Sequence, residues 1–171
     1  MIVAGVPDDS ANSAITIIGG AGGDAGGSGP GGEGGRVVKV FVGFQTVGGK
    51  PSQTTDLLSD NVVIVAGDGG DGRVAGIGGS VLNISLRSAA PDADGTEISV
   101  TAGKGGDNST ASGGRSGAGG SLTNIKIINQ AEAGSSVLLR AGDGGEDLGD
   151  QGTATRGANG GSISRSRQCR T

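Results

Sequence analysis

Between residues 20 and 35 glycine occupies every third position, at 20, 23, 26, 29, 32 and 35. Shorter stretches in the same rhythm recur at 67 and 70, 76 and 79, 103 and 106, and 114, 117 and 120. A flexible linker needs glycine content but has no need for phase. A three-residue period is that of the polyproline-II helix, and where such helices pack side by side only glycine fits the crowded inward line. The segments therefore predict packed polyglycine-II helices, and the 40 glycines in 171 residues read as packing rather than disorder.

The glycine segments are tied to apolar runs. Four times such a run enters a glycine motif: Ile15-Thr-Ile-Ile-Gly-Gly-Ala-Gly-Gly, Val62-Val-Ile-Val-Ala-Gly-Asp-Gly-Gly, Ile98-Ser-Val-Thr-Ala-Gly-Lys-Gly-Gly and Val137-Leu-Leu-Arg-Ala-Gly-Asp-Gly-Gly. Equivalent positions 19, 66, 102 and 141 are spaced by 47, 36 and 39 residues. Each glycine segment ends in Gly-Gly, then Arg36, Ser80, Ser121 or Ser162 and another apolar run, at spacings of 44, 41 and 41. Two linked motifs in four copies predict a repeat architecture, with units 1–18 (a half), 19–65, 66–101, 102–140 and 141–171 in one domain, 1–171.

Both kinds of run alternate at period two, so each is a strand with one face to bury. In the strand before the glycines, the A strand, the inward residues are Ile15 and Ile17, Val62 and Ile64, Ile98 and Val100, Val137 and Leu139. In the strand after them, the B strand, the expected inward set is Val38, Val40 and Val42, then Leu82, Ile84 and Leu86, then Ile125 and Ile127. Ile2-Val-Ala-Gly-Val fits a fifth B strand. Turn-forming residues such as Pro91, Asp92 and Gly95 join B to the next A, predicting hairpins. The expected fold is all-β with no α-helix: stacked β-hairpins fused to a layer of polyglycine-II helices.

Composition removes many functions. There is no His, Trp or Tyr, hence no Ser-His-Asp or Cys-His chemistry, no ordinary zinc site and no aromatic platform for bases or sugars. An enzyme is not expected. The net charge of −4 does not favour nucleic acid. The basic cluster Arg165, Arg167 and Arg170 reads as a solubilising tail. Cys169 is the single cysteine and has no internal disulfide partner. Met1-Ile-Val-Ala-Gly-Val is too short for a signal-peptide core and no run reaches membrane-span length, so no membrane insertion is expected.

Gly67-Asp-Gly-Gly-Asp-Gly matches a dinucleotide loop only through its glycine content, because no helix follows. Acidic residues concentrate in the glycine segments, and their bland reading is solvated turn acids. The sharper alternative is a Ca²⁺ site at Asp143, Glu146, Asp147 and Asp150, since hard cations need converging carboxylates and carbonyls. No other cofactor is implied. An ice-binding surface needs regular ranks of Thr or Ala, whereas Thr is scattered at 101, 110, 123 and 153.

The alternation of Ala-Gly-Asp-Gly-Gly and Gly-Gly-Ser motifs with short apolar strands resembles the glycine-rich repeats of large bacterial cell-surface and extracellular-matrix proteins. The packed polyglycine-II segments also resemble the receptor-binding tips of phage tail fibres. The first resemblance implies a structural subunit of an extracellular filament or surface layer, associating with copies of itself through terminal strands and sheet edges. The second implies an adhesive module on a virion or bacterial surface, with a host or cell-surface receptor met by loops 44–61, 107–113 and 146–156. Neither implies a catalytic residue.

Overall fold

Every alternating apolar run forms a strand in the computed structural model, which describes residues 2–4, 14–26, 28–43, 45–47, 50–52, 61–88, 97–108, 113–129, 136–147 and 157–170. The strands are β1 (Ile2–Ala4), β2 (Ala14–Ile18), β3 (Val37–Val42), β4 (Gln45–Val47), β5 (Lys50–Ser52) and β6 (Asn61–Val65). They continue with β7 (Val81–Ser88), β8 (Glu97–Thr101), β9 (Leu122–Asn129), β10 (Ser136–Arg140), β11 (Ile163–Ser164) and β12 (Arg167–Arg170). Among the described residues there is no helix, so the protein is all-β there.

The strands sort by kind. A strands form a four-stranded parallel sheet in the order β10-β8-β6-β2, and B strands form a second sheet in the order β1-β3-β7-β9-β11, with β12 also on β9. This corrects the expectation of stacked hairpins. The strands on either side of each connection, β7 and β8 or β9 and β10, are not paired with each other; each pairs in parallel with its like. Both inward faces are apolar, so setting the two sheets face to face buries both, which a flat hairpin ladder does not. Among the described residues the one antiparallel pair is β4 with β5, inside the long 44–61 connection.

The core lies between the sheets. Val62, Ile64, Ile98 and Val100 are fully buried, and Ile15, Ile17, Val137 and Leu139 pack half-buried on the edges, as the A-strand alternation predicts. The B strands differ at their start: Val37, Val81 and Leu122 face inward, while Val38 is 39% exposed. The reason is one residue per strand with a left-handed backbone, Lys39 (φ 59°), Asn83 (56°), Asn124 (57°) and Arg165 (53°). Each acts as a bulge that reverses the alternation, so Val37 and Val40 both point inward. Because β3, β7 and β9 all carry it, and Arg165 holds the equivalent place between β11 and β12, the register survives: Val38 opposes Leu82, and Val40 opposes Ile84. Asn83 and Asn124 suit that conformation and join through Asn124 Nδ2 donating to Asn83 Oδ1 at 2.8 Å.

Between each A strand and its B strand the chain runs out along one glycine arm and back along another. On the outgoing arm one N–H in three donates to the same arm of the following circuit: Gly19 to the Val65 carbonyl, Gly22 to Asp68 and Gly69 to Lys104, each at 2.8 Å. The next N–H in the triplet donates across to a returning arm, as Gly67 to Gly35 (2.9 Å), Gly70 to Gly32 (2.8 Å) and Gly103 to Gly79 (2.9 Å). Two of every three positions therefore press on backbone. A Cβ at Gly103 would overlap the Gly67 carbonyl of the preceding circuit, and one at Gly105 the Gly117 carbonyl across the pair. The third position faces solvent and carries the side chains.

Candidate functional site

The third N–H of the outgoing-arm triplet points away from both backbone partners, and in four places an acid receives it. Asp71 N–H donates to Asp24 Oδ1 (2.9 Å), Lys104 N–H to Asp68 Oδ1 (2.6 Å), Asp107 N–H to Asp71 Oδ1 (2.7 Å) and Glu146 N–H to Asp107 Oδ1 (2.7 Å). Serines do the same where the returning arm meets the B strand: Ser121 N–H donates to Ser80 Oγ and Ser162 N–H to Ser121 Oγ, both at 3.1 Å. Each acid thus fastens the circuit after its own. Sequence reasoning missed this role, although the signal was present: the acids recur at the strand spacings, 47, 36 and 39 residues apart.

Asp107 shows the electrostatic result. The Glu146 N–H holds its carboxyl below the ordinary carboxylate range, helped by Lys104 and opposed by partial burial. Lys104 is raised above the ordinary lysine value mainly by its hydrogen bond to Asp107, with Nζ 3.0 Å from Oδ1.

The residues proposed for Ca²⁺ face separate tasks. Asp143 pairs with Arg140 at 2.7 Å, Glu146 hangs from Asp107 through its backbone, and Asp147 accepts from Asn108 Nδ2 at 2.7 Å. Asn108 is buried at 2% exposure, where its amide needs a hydrogen-bond partner, and Asp147 supplies one. Asp150 lies outside the described residues. Among the described residues no three of His, Cys, Asp and Glu gather as a metal site. Of the three suggested recognition loops, only 45–47, 50–52, 61, 107–108, 113 and 146–147 are described. Cys169 is exposed on β12. Arg165 and Arg167 line a cavity of about 530 Å³ with Asn124, Ile125, Lys126 and Ser166.

The ends and the broad faces are the surfaces left for partners. At one end β2 and β1 are edge strands; at the other β10, β11 and β12 are. Unpaired strand edges are templates for another chain. The glycine arms end the same way. Gly67, Gly103 and Gly142, like Gly70, Gly106 and Gly145, are crowded by the backbone of a preceding circuit, but a Cβ at Gly20 or Gly23 would meet nothing within 4 Å. At the far end Gly34, Gly78 and Gly119 are crowded by the following outgoing arm, whereas at Gly160 the nearest atom is 3.4 Å away. Among the described residues no helix is long and apolar enough to cross a membrane. No known protein family, curated protein or solved structure matches this chain.

Proposed function

We propose that the chain is a non-enzymatic structural subunit that stacks end to end with copies of itself into an extracellular filament or surface layer. In this reading each circuit is one repeat and the glycine arms are polyglycine-II helices. The hydrogen bonds taken at three-residue steps by Gly19 and Gly22, and by Gly67 and Gly70, support the arm conformation. The extracellular setting rests on the resemblance to glycine-rich surface proteins.

The observation that carries self-stacking is the glycine at 20 and 23. Interior equivalents must be glycine because a preceding circuit touches them; positions 20 and 23 keep glycine with no such neighbour among the described residues. A copy stacked there supplies it. Gly160 makes the complementary case at the other end. The strand edges agree, because Ile15 and Ile17 on β2 and Val137 and Leu139 on β10 stay half-buried for want of one more strand. Contacts of this head-to-tail kind do not close, so they build fibres.

Gly23→Leu tests the reading. Its side chain enters open space in the isolated subunit, so the thermal midpoint stays within a few degrees of native, while stacking is blocked by overlap with the incoming arm. Electron microscopy and light scattering should show filaments from the native chain and none from the variant. Native protein that stays monomeric at high concentration, or a variant that polymerises normally, overturns it.

A further inference from the structure

The two broad faces of the folded chain are oppositely charged. One face consists of the outward positions of the A strands and the outgoing arms. Its columns run Asp24–Asp71–Asp107–Glu146, Asp68–Lys104–Asp143 and Asn61–Glu97–Ser136, with Arg140 beside them. That makes seven acids against two bases, and both bases are already tied to acids of the same face, Lys104 to Asp107 and Arg140 to Asp143. The other face consists of the returning arms and the B strands. Its columns run Arg36–Ser80–Ser121–Ser162, Lys39–Asn83–Asn124–Arg165 and Phe41–Ser85–Lys126–Arg167, with Arg87 and Arg115 beside them. Among the described residues of this face seven bases stand against one acid, Glu33. Lys126 and Arg167 are direct cross-strand neighbours, a like-charge contact that costs stability unless an anion is shared between them.

We propose that the acidic face of one copy docks on the basic face of a second copy, so that subunits or filaments associate side by side. Charge complementarity names the occupant: each face carries what the other lacks, and a copy turned to present its acidic columns to Lys39, Lys126 and Arg167 neutralises both. The area suffices. Twelve residues from Asn61 to Gly72 at about 3.2 Å each, over four circuits about 4.8 Å apart, make a face of roughly 700 Å², close to the ~800 Å² per partner of a standard interface. Both faces also carry apolar groups for a dry centre, Ile18 and Leu138 on the acidic face and Val38 and Ile77 on the basic one. This pairing uses no strand edge, so it does not require the end-to-end stacking proposed above.

The test reads the two contacts separately. Gly23→Leu, designed to block the ends, is followed by sedimentation velocity at about 20 mM salt and again at about 1 M, where the screening length falls to about 3 Å; native filaments are measured for width under the same conditions. Side-by-side pairing predicts dimers and larger species at low salt, monomers at high salt, and thick filaments that thin to one subunit without shortening. The double variant Arg115→Glu, Lys126→Glu, both at exposed positions on interior circuits away from the end strands, should weaken pairing at least tenfold at low salt and leave filament length and thermal midpoint unchanged. Pairing that persists in the double variant overturns the proposal. So does a native protein with no lateral pairing at low salt whose basic face instead retains heparin or duplex DNA.

Discussion

At the residue scale the glycines divide into those that backbone excludes from change and those that it does not. A Cβ at Gly103 would overlap the Gly67 carbonyl and crowd the backbone of Gly79, with no side chain nearby to move aside. Gly103→Ala is therefore expected to cost at least about 3 kcal/mol, the upper end of the range for overpacking, out of a total stability of order 5–15 kcal/mol. Gly26→Ala, where nothing lies within 4 Å, should change stability by no more than about 1 kcal/mol, with a gain as the expected sign because alanine narrows the unfolded ensemble. Urea unfolding of the two variants side by side measures both. Equal costs would mean that the arms are not packed as described. The three-residue period in the sequence marks glycines that pack, but it does not mark this division, because Gly26 meets nothing while Gly32 and Gly35 of the same run meet backbone. What was not readable is that a second position per triplet is also crowded, since only the folded arm pair puts Gly105 against Gly117.

At the element scale, adjacent circuits are joined by more than strand pairing, and the acids of the outgoing arm supply the additional link. Asp107 accepts the Glu146 N–H and pairs with Lys104, so its folded carboxyl titrates below its unfolded one. The contribution of such a group is fully present above the unfolded value near 3.8 and disappears as pH falls through the folded one. Asp107→Ala should lose about 1 kcal/mol at neutral pH, one hydrogen bond to a charged acceptor with part of its strength lost to solvent. Asp107→Asn keeps the acceptor oxygen and should lose less. Both variants should show a shallower fall in stability than native between about pH 5 and pH 2, measured by thermal melts across that range; a native-like slope in Asp107→Ala would remove the carboxylate from the link. The strands were unevenly legible. A strands keep strict alternation, and Ile15, Val62, Ile98 and Val137 were correctly placed from it. B strands contain a bulge whose occupants differ, Lys39, Asn83, Asn124 and Arg165. Two asparagines hint at a left-handed backbone, but Lys and Arg give no such signal, so alternation alone puts Val38 and Leu82 on the wrong face.

At the scale of the whole molecule, sorting strands into two parallel sheets is what separates the charges, and no local pattern announced it. Asp68 and Arg73 are near neighbours in sequence, yet the first belongs to an acidic column and the second to the turn between the arms. The same sorting creates a competition at the ends. If the A sheet continues from β10 of one copy to β2 of the next, then β11 and β12 of the first copy must reach β3 of the next, because β3 lies in the circuit that β2 begins. That edge of β3 is already occupied by β1, which pairs Ile2, Val3 and Ala4 with Val40, Phe41 and Val42. One of the two has to leave. β1 offers three paired residues, while β11 and β12 together offer six, so β1 is the strand expected to yield, much as a short resident strand yields in strand addition. Deleting residues 1–4, or replacing Val3 with proline to impair β1 pairing, should therefore speed filament growth several-fold without altering the dimensions of the filament. Light-scattering growth curves seeded with sheared native filaments measure the rate directly. Slower growth in both variants would assign β1 to the junction itself, and would require the A sheet to be interrupted there by one strand spacing.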